Sequence, residues 1–572
     1  MASQYSRQLA NYSLKNDLFY RIIFLALISL NFALFGNPIY GTTDDNILSG
    51  LVSGTYTGER ETRLIFIRPI IGYFMFVGQT LTPGFQFYSV FLLILIIVAI
   101  SMYGNILSRS VKSRKAQLIL NLFWFILAVP TVIWFTLTPT YTATSIIVTS
   151  FSLLSLTVLI TSKDTFSKYE VFFTSLLLSL GLLIRPEGAL GALILISPTI
   201  IYFIYQKKYI DKKLISYAIL IVMIFIAIDL NLQSKGNTGE WKIYDNWNSY
   251  RHQIQHRVAE DSLLDLREDI RWSIPEYHLF MDLAFGDEDV FNSTWIKPAF
   301  DSTKSTRGIS GVLNANIDKT LKDLIILLLN YYQVLMFQVI FMFWIFINKS
   351  RPWLEKLSIL ILSWIPILAG IYFTVATLHT PERSMYPILL LPAILSLVLW
   401  SIKEYPSNTR VDVITYSVAS FFAIISIIFS DNGISNEIKT NFKNKESADR
   451  IALSMKKYSK DAVFIGPGNT EIYDVSNPYF DPAQSIRPKM ITVGNWDTFS
   501  PHWYKRNRLL GVGERSVYKA LFQENNYWLS NQFPDTAYMV ELFMKENGFP
   551  MINRENVFEF QEGQMLFKYL PK

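Results

Sequence analysis

The sequence predicts a polytopic α-helical membrane protein, on three observations. Many stretches stay apolar for the roughly 17–25 residues that a helix needs to cross a bilayer. Only 17% of the 572 residues are charged and 51% are hydrophobic, with a positive mean hydropathy; soluble domains carry about 25% charge. Lys and Arg also recur in alternate loops, as topology signals do.

Candidate spans lie near 18–37, 86–104, 117–137, 143–161, 170–187, 189–205, 214–232, 322–347, 357–377, 385–402 and 411–430, about eleven transmembrane helices. With the N-terminus inside, the inner loops carry Arg109, Lys112, Arg114 and Lys115, then Lys163 and Lys168, then Lys207, Lys208, Lys212 and Lys213. Further along come Lys349, Arg351 and Lys356, then Lys403 and Arg410. No small-residue cleavage site follows the first apolar run, so that run is expected to stay as the first helix. "LIFIRPIIGYFMFVGQTL" (64–81) is apolar enough to span, but counting it would put every later basic loop outside. It is therefore read as a helix lying at the outer interface.

This places residues 1–430 in a membrane domain, with a first outer loop at 37–85 holding interfacial helices and a large outer loop at 233–320. Residues 431–572 follow as a small extracytoplasmic α/β domain. In it "ESADRIALSMKKYS" and "TAYMVELFMKENG" have helical spacing, while "DAVFIGP" and "MITVG" are strand-like. No internal repeat is visible.

The net charge of +6 does not indicate nucleic acid. The basic residues punctuate apolar runs instead of gathering on one face among aromatics. The absence of cysteine excludes disulfides, thiol catalysis and cysteine metal sites. "GPGNT" (466–470) lacks the Lys-Ser/Thr of a phosphate loop and reads as a turn.

Charges near helix ends cluster on the outer side: Asp44, Asp45, Arg68, Arg185, Glu187, Asp229, Glu382 and Arg383. An ion-coupled carrier would be expected to hold ionisable groups at the midplane, so the pattern points to chemistry at the water–lipid boundary. Each cluster also has a purely structural reading. In "TTDDNILSG", Ile47, Leu48, Leu51 and Val52 form one helical stripe, and one of the two acids could cap that helix. Capping accounts for one acid and leaves the other. In "LLIRPEGALG", Arg185 and Glu187 could sit in a turn with a snorkelling arginine, or Arg185 could grip a lipid phosphate. "ATLHTPERSMYP" sets His379 and Arg383 in a short loop, a polar turn or a phosphate contact. "WNSYRHQIQHRVAED" holds Arg251, His252, His256 and Arg257. Its two histidines have a metal-ligand spacing but no HExxH base, and a solvated helix face is the plainer reading.

Taken together, one span, an outer loop with paired acids, interfacial helices, the "RPEG" turn and "PERSMYP" resemble the GT-C superfamily of membrane glycosyltransferases. The likeness is greatest to bacterial members related to the O-antigen glucosyltransferases, and it covers roughly residues 1–430. The resemblance implies a polyprenyl-phosphate sugar as donor, a glycan, lipid or protein as acceptor, and membrane lipid as surroundings, with no nucleic acid and no cofactor. It implies that Asp44 or Asp45 is the catalytic base, and that Arg383 lies near the carrier phosphate with Arg185 as a further candidate. Glu187, His379, Arg68, Arg251 and His252 complete the expected substrate-binding set. The second outer loop, "TPTYT", lacks the acid that metal-dependent members place there, so a metal-independent enzyme is expected. Two alternatives stay open: a ligase or polymerase using lipid-pyrophosphate donors, resting on Arg251, His252 and His256, and a lipid or glycan transporter.

Overall fold

The computed structural model describes residues 2–303 apart from 112, 163–165, 237–238, 258–266 and 268–269, then 352–376, 382–401 and 434–446 apart from 437. In the tail it describes 461–467, 477–480, 489–530 apart from 514, 534–550, 552–559 and 565–571, with residues 322, 325, 450, 453 and 455 as single positions. The expected spans at 322–347 and 411–430 lie outside the described residues, as does most of the expected helix at 446–459.

Ten helices run in order through the first half: α1 (Ala2–Phe35), α2 (Thr43–Ser53), α3 (Pro69–Leu81), α4 (Phe87–Arg109), α5 (Arg114–Leu137), α6 (Tyr141–Thr161), α7 (Lys168–Ile184), α8 (Pro186–Lys207), α9 (Lys212–Gly236) and α10 (Gly239–Arg257). Among the described residues, seven helices are long and apolar enough to cross a membrane: 17–35, 87–109, 116–137, 141–161, 186–207, 212–236 and 353–372. The expected span at 170–187 is α7, which at 17 residues is slightly shorter than these seven. The one at 385–402 is a helix over Glu382–Trp400. The apolar segment at 64–81 forms only the 13-residue α3, about 20 Å long at 1.5 Å per residue, too short for a core of about 30 Å. Its Tyr73, Phe74, Val77 and Leu81 are exposed while Ile70, Ile71 and Met75 are buried. A one-sided apolar strip of this kind suits a helix lying between protein and lipid.

The bundle is built around α4 and α6. Nearly all of α6 is buried, and its many Ser and Thr side chains allow neighbouring backbones to approach. At Gly181 of α7 a Cβ would stand 2.6 Å from Thr149 Oγ1 and 2.9 Å from Thr149 N, so only glycine fits that crossing. α1, α8 and α9 expose apolar side chains along their length, among them Leu27, Leu30, Ile194, Ile201, Ile219 and Leu220. Lipid would cover these, since a water-exposed surface of that kind is unfavourable by about 25 cal/mol per Å². At one end of the bundle Arg109 pairs with Glu170, and Asp211 N donates to Ile160 O at 2.8 Å.

The opposite end carries the polar body. The tail forms a five-stranded sheet from β1 (Val463–Pro467), β2 (Lys489–Val493), β3 (Asn526–Ser530), β4 (Ile552–Glu559) and β5 (Met565–Pro571), in the order β2-β1-β3-β5-β4. The first three strands are parallel, with Ile465 opposite Ile491 and Trp528; β5 runs antiparallel to β3 and β4. β1, β2 and the helix at Pro534–Glu546 coincide with the expected elements; β3, β4 and β5 were not expected. The large loop shares one hydrophobic core with this sheet: Trp247, Trp272, Phe280, Phe285 and Phe291 pack with Ile465, Trp503, Trp528 and Phe543. The two polar segments are therefore one packed body, joined at Gly494. That residue has φ +88, and a Cβ there would meet the Leu283 carbonyl carbon and oxygen at 2.1 Å. Replacing Gly494 by Ala should destabilise this body by about 3 kcal/mol, read as a lower thermal midpoint and faster proteolysis of the tail.

Candidate functional site: an arginine-lined cavity where the bundle meets the tail

The residues that organise this end begin with Asp45. α2 starts after Thr42, whose extended backbone and side chain cap the helix. Thr42 Oγ1 accepts from Asp45 N at 3.3 Å and donates to Asp45 Oδ2 at 2.6 Å. Asp45 Oδ1 accepts from Tyr88 Oη at 2.7 Å and from Tyr141 N at 2.9 Å. Asp45 is fully buried, so one carboxylate pins α2 to α4 and to the first residue of α6. Hydrogen bonds to a charged group contribute about 1.5–3 kcal/mol each. Asp44, one residue earlier, is half-buried. Of the two adjacent acids, Asp45 takes the structural role.

Tyr141 carries this anchor toward the cavity. Its hydroxyl accepts from Arg185 Nη1 at 2.7 Å, and Thr142 Oγ1 accepts from the same nitrogen at 2.6 Å. The Tyr141 ring stacks on Phe66. Arg185 is the residue before α8, with Pro186 at the first helical position and no side-chain cap. Arg68 stands in the same relation to α3, with Pro69 at the first helical position and again no side-chain cap. The two turns are joined, Arg68 N donating to Leu183 O at 3.1 Å.

Both turns open on one cavity of about 850 Å³, lined by Arg63, Arg68, Arg185, Glu187, Lys235 and His252 among others. The positive dipole ends of α3 and α8 thus lie beside two guanidinium groups, although the Ile70 N–H at the start of α3 is already taken by Asp229 Oδ1 at 3.2 Å. Arg68 reaches Gln233 Oε1 at 2.8 Å and lies 3.9 Å from Asp229. Arg63 pairs with Asp245 at 3.3 Å and sits over the Trp241 ring at 4.1 Å. Burial draws the Arg63 guanidinium below its ordinary pKa, with Asp245 and Tyr244 opposing. Four cations, Arg63, Arg68, Arg185 and Lys235, face two carboxylates, Glu187 and Asp245. The lining side chains therefore carry an excess of positive charge.

The structure thus brings Arg68, Arg185, Glu187 and His252 of the expected set to one place and adds Arg63 and Lys235, which sequence reasoning missed. "IRP" occurs at both 67–69 and 184–186, a recurrence that links Arg68 with Arg185 but gives no signal for Arg63 or Lys235. Arg251 does not line the cavity. It is buried on another face of α10, bonded to Asn248 Oδ1 and Gln255 Oε1. The reason is helical phase: Tyr244, Trp247, Arg251 and Ile254 form the face packed on the tail, while Asp245, Asn248, Ser249 and His252 face the cavity. Burial lowers the pKa of Arg251, opposed by Tyr244, Asp44 and Asp497, which places Asp44 within electrostatic reach of that buried cation. Neither Asp44 nor Asp45 is among the cavity's lining residues. His379 and the side chains of Arg383 and His256 lie outside the described residues. Among the described residues, no group of three His, Asp or Glu side chains could hold a metal ion.

The tail closes on the first loop beside this cavity. The Tyr56 hydroxyl donates to Asp497 Oδ2, and Arg506 donates to Tyr56 O at 2.8 Å. Lys505 bonds Glu59 at 2.5 Å and Glu61 at 2.8 Å. Trp496 packs on Phe66 at 4.9 Å between ring centroids.

The fold and site therefore define a polytopic helical protein with an arginine-lined cavity at one end of its bundle. Two solved structures are similar over nearly the whole chain. They are ArnT from Cupriavidus metallidurans in the apo state (12% identity, TM-score 0.42) and ArnT from the same organism bound to undecaprenyl phosphate (12% identity, TM-score 0.41). Each match covers 96% of this chain and 97% of the other. No family model matches the sequence, and no curated protein does. Similarity at this level carries no residue-by-residue correspondence, so function has to come from the chain's own side chains.

Burial pushes the Asp497 carboxyl up to about 6, against the Tyr56 hydrogen bond, a backbone hydrogen bond, His502 and Arg506. A carboxyl raised in the fold holds its proton where the unfolded chain has lost it. Stability should therefore fall as pH rises from about 4 to 6, and stay lower above that. Asp497→Asn keeps an oxygen for Tyr56 and should flatten this slope, read as the thermal midpoint of the detergent-solubilised protein from pH 4.5 to 7.5.

Proposed function

We propose that this chain is an inverting glycosyltransferase of the GT-C kind. It would take a sugar from a polyprenyl-phosphate carrier and pass it to a glycan, lipid or protein acceptor on the outer face of the membrane. The observation that carries this reading is the convergence of Arg68 and Arg185, each at the start of a helix, on one cavity beside the lipid-suited faces of α3, α8 and α9. A carrier phosphate would sit on the arginines while its isoprenoid chain leaves along those apolar faces. Arg109 and Lys207 lie at the helix ends away from the tail, which supports an inside N-terminus and an extracytoplasmic tail.

In the proposed reaction the acceptor hydroxyl attacks the anomeric carbon, and the bond from that carbon to the phosphate oxygen breaks. The bonding electron pair goes to the phosphate, where Arg68, Arg185 and the two helix ends meet the growing charge. The hydroxyl proton goes to a carboxylate acting as general base. Asp44 is assigned that part, since it keeps partial exposure while Asp45 is fully buried among Thr42, Tyr88 and Tyr141. Direct attack inverts the anomeric centre. The polyprenyl-phosphate sugar is the donor substrate and no cofactor enters the scheme; the acid-free second loop supports a metal-independent route.

His252 favours a second reading. It lines the same cavity as Arg185, where a ligase or polymerase with a lipid-pyrophosphate donor would use a histidine. The two readings separate in one assay: transfer of radiolabelled sugar from polyprenyl-monophosphate or pyrophosphate donors in membranes containing the protein. Asp44→Asn should lower transfer from the monophosphate by at least about 100-fold, the low end for a general base. Arg68→Ala and Arg185→Ala should each cost about 100-fold. Full turnover in Asp44→Asn, with loss in His252→Ala on pyrophosphate donors, would replace the first reading by the second.

A further inference from the structure

We infer that the C-terminal domain braces the arginine-lined cavity from behind, with His502 as the residue that positions Arg63. The inference rests on the phosphate-binding role proposed for that cavity, and it gives the tail a part in donor binding. Arg63 belongs to the first loop, which has no regular secondary structure between α2 and α3 and so no hydrogen-bond ladder to fix it. Its place is set from outside. The first support is His502, on the tail helix Pro501–Leu510. His502 is 2% exposed, and its Nε2 lies 2.7 Å from Arg63 O. A carbonyl only accepts, so Nε2 carries the proton. The second support is Trp241 of α10, which lies under the Arg63 guanidinium at 4.1 Å and meets the His502 ring edge-on at 4.9 Å. One histidine therefore holds the Arg63 backbone and abuts the ring on which its guanidinium rests.

Neighbouring contacts keep His502 in register. Its Nδ1 stands 3.6 Å from Glu61 Oε1, which Lys505 also holds at 2.8 Å. One turn on, Arg506 donates to Tyr56 O and to Met490 O at 2.9 Å, joining the loop to β2. The tail thus grips residues 56–63 between α2, which bears the acids, and α3, which bears Arg68. Arg63 is the only arginine of the cavity whose backbone is held by the tail among the described contacts.

The test is a double-mutant cycle on the full-length protein in nanodiscs, reading the Kd for undecaprenyl phosphate, with undecaprenol as the phosphate-free control. His502→Phe keeps a ring and removes the N–H. It should weaken phosphate-lipid binding about tenfold, the order for one lost hydrogen bond, and leave undecaprenol binding unchanged. His502→Gln can return an N–H to Arg63 O and should restore affinity. In an Arg63→Ala background His502→Phe should add nothing, because it acts through Arg63. Should His502→Phe fail to accumulate, Lys505→Ala, a more exposed member of the same grip, should give about a threefold loss that also vanishes in Arg63→Ala. Unchanged affinity in the single variants, equal loss for both lipids, or losses that multiply with Arg63→Ala would overturn the inference while leaving the phosphate site standing. If the unaltered protein shows no preference for undecaprenyl phosphate over undecaprenol, the phosphate-site reading falls, and this inference with it.

Discussion

The arrangement depends first on a carboxylate that never meets solvent. Asp45 is fully buried and takes hydrogen bonds from Thr42, Tyr88 and Tyr141, so its charge is compensated by donors from three separate parts of the chain. A buried charge left unpaired would cost several kcal/mol, which makes the position of these elements cooperative. Moving α2 away from α4 or α6 would strand the carboxylate. Because Tyr141 also accepts from Arg185, the same constraint sets where the second guanidinium stands.

A consistent division of labour follows. The membrane-suited helices supply two chain turns of the same design, Arg-Pro at a helix start, and bring them together through Arg68 N and Leu183 O. Proline at the first position wastes no hydrogen bond, since that N–H has no intrahelical partner. The helix dipoles then point their positive ends toward the cavity along with the guanidinium groups. The polar body adds α10 to the cavity wall, while the tail holds the first loop from behind through Asp497, His502 and Arg506. On the proposed reading, donor phosphate, base and tail are mechanically linked by short chains of contacts that can each be named.

Much of this was legible in the sequence. The apolar runs and basic loops gave the bundle, and the helical stripe of Ile47, Leu48, Leu51 and Val52 is buried as its periodicity implied. Arg68, Arg185 and Glu187 could be picked out because charges beside apolar helix ends are rare and costly. The division between Asp44 and Asp45 could not be read, because neighbours at a helix start point about 100° apart and only the packing partners decide which is buried. Arg251 and His252 show the same limit: adjacent in sequence, they fall about 100° apart on α10, one packed against the tail and one lining the cavity. Arg63 was missed because its role depends on Trp241 and His502, 178 and 439 residues further along. The shared core of the large loop and tail was hidden for the same reason, since contacts between distant segments leave no local period.

The central claim is that an anionic lipid headgroup sits between the starts of α3 and α8. The most direct measurement is a structure of the protein in a lipid bilayer with undecaprenyl phosphate added. The account predicts phosphate density within hydrogen-bond distance of both the Arg68 and Arg185 guanidinium groups, with the isoprenoid chain running out along α3, α8 or α9. A phosphate bound elsewhere, with the cavity holding only water, would contradict it.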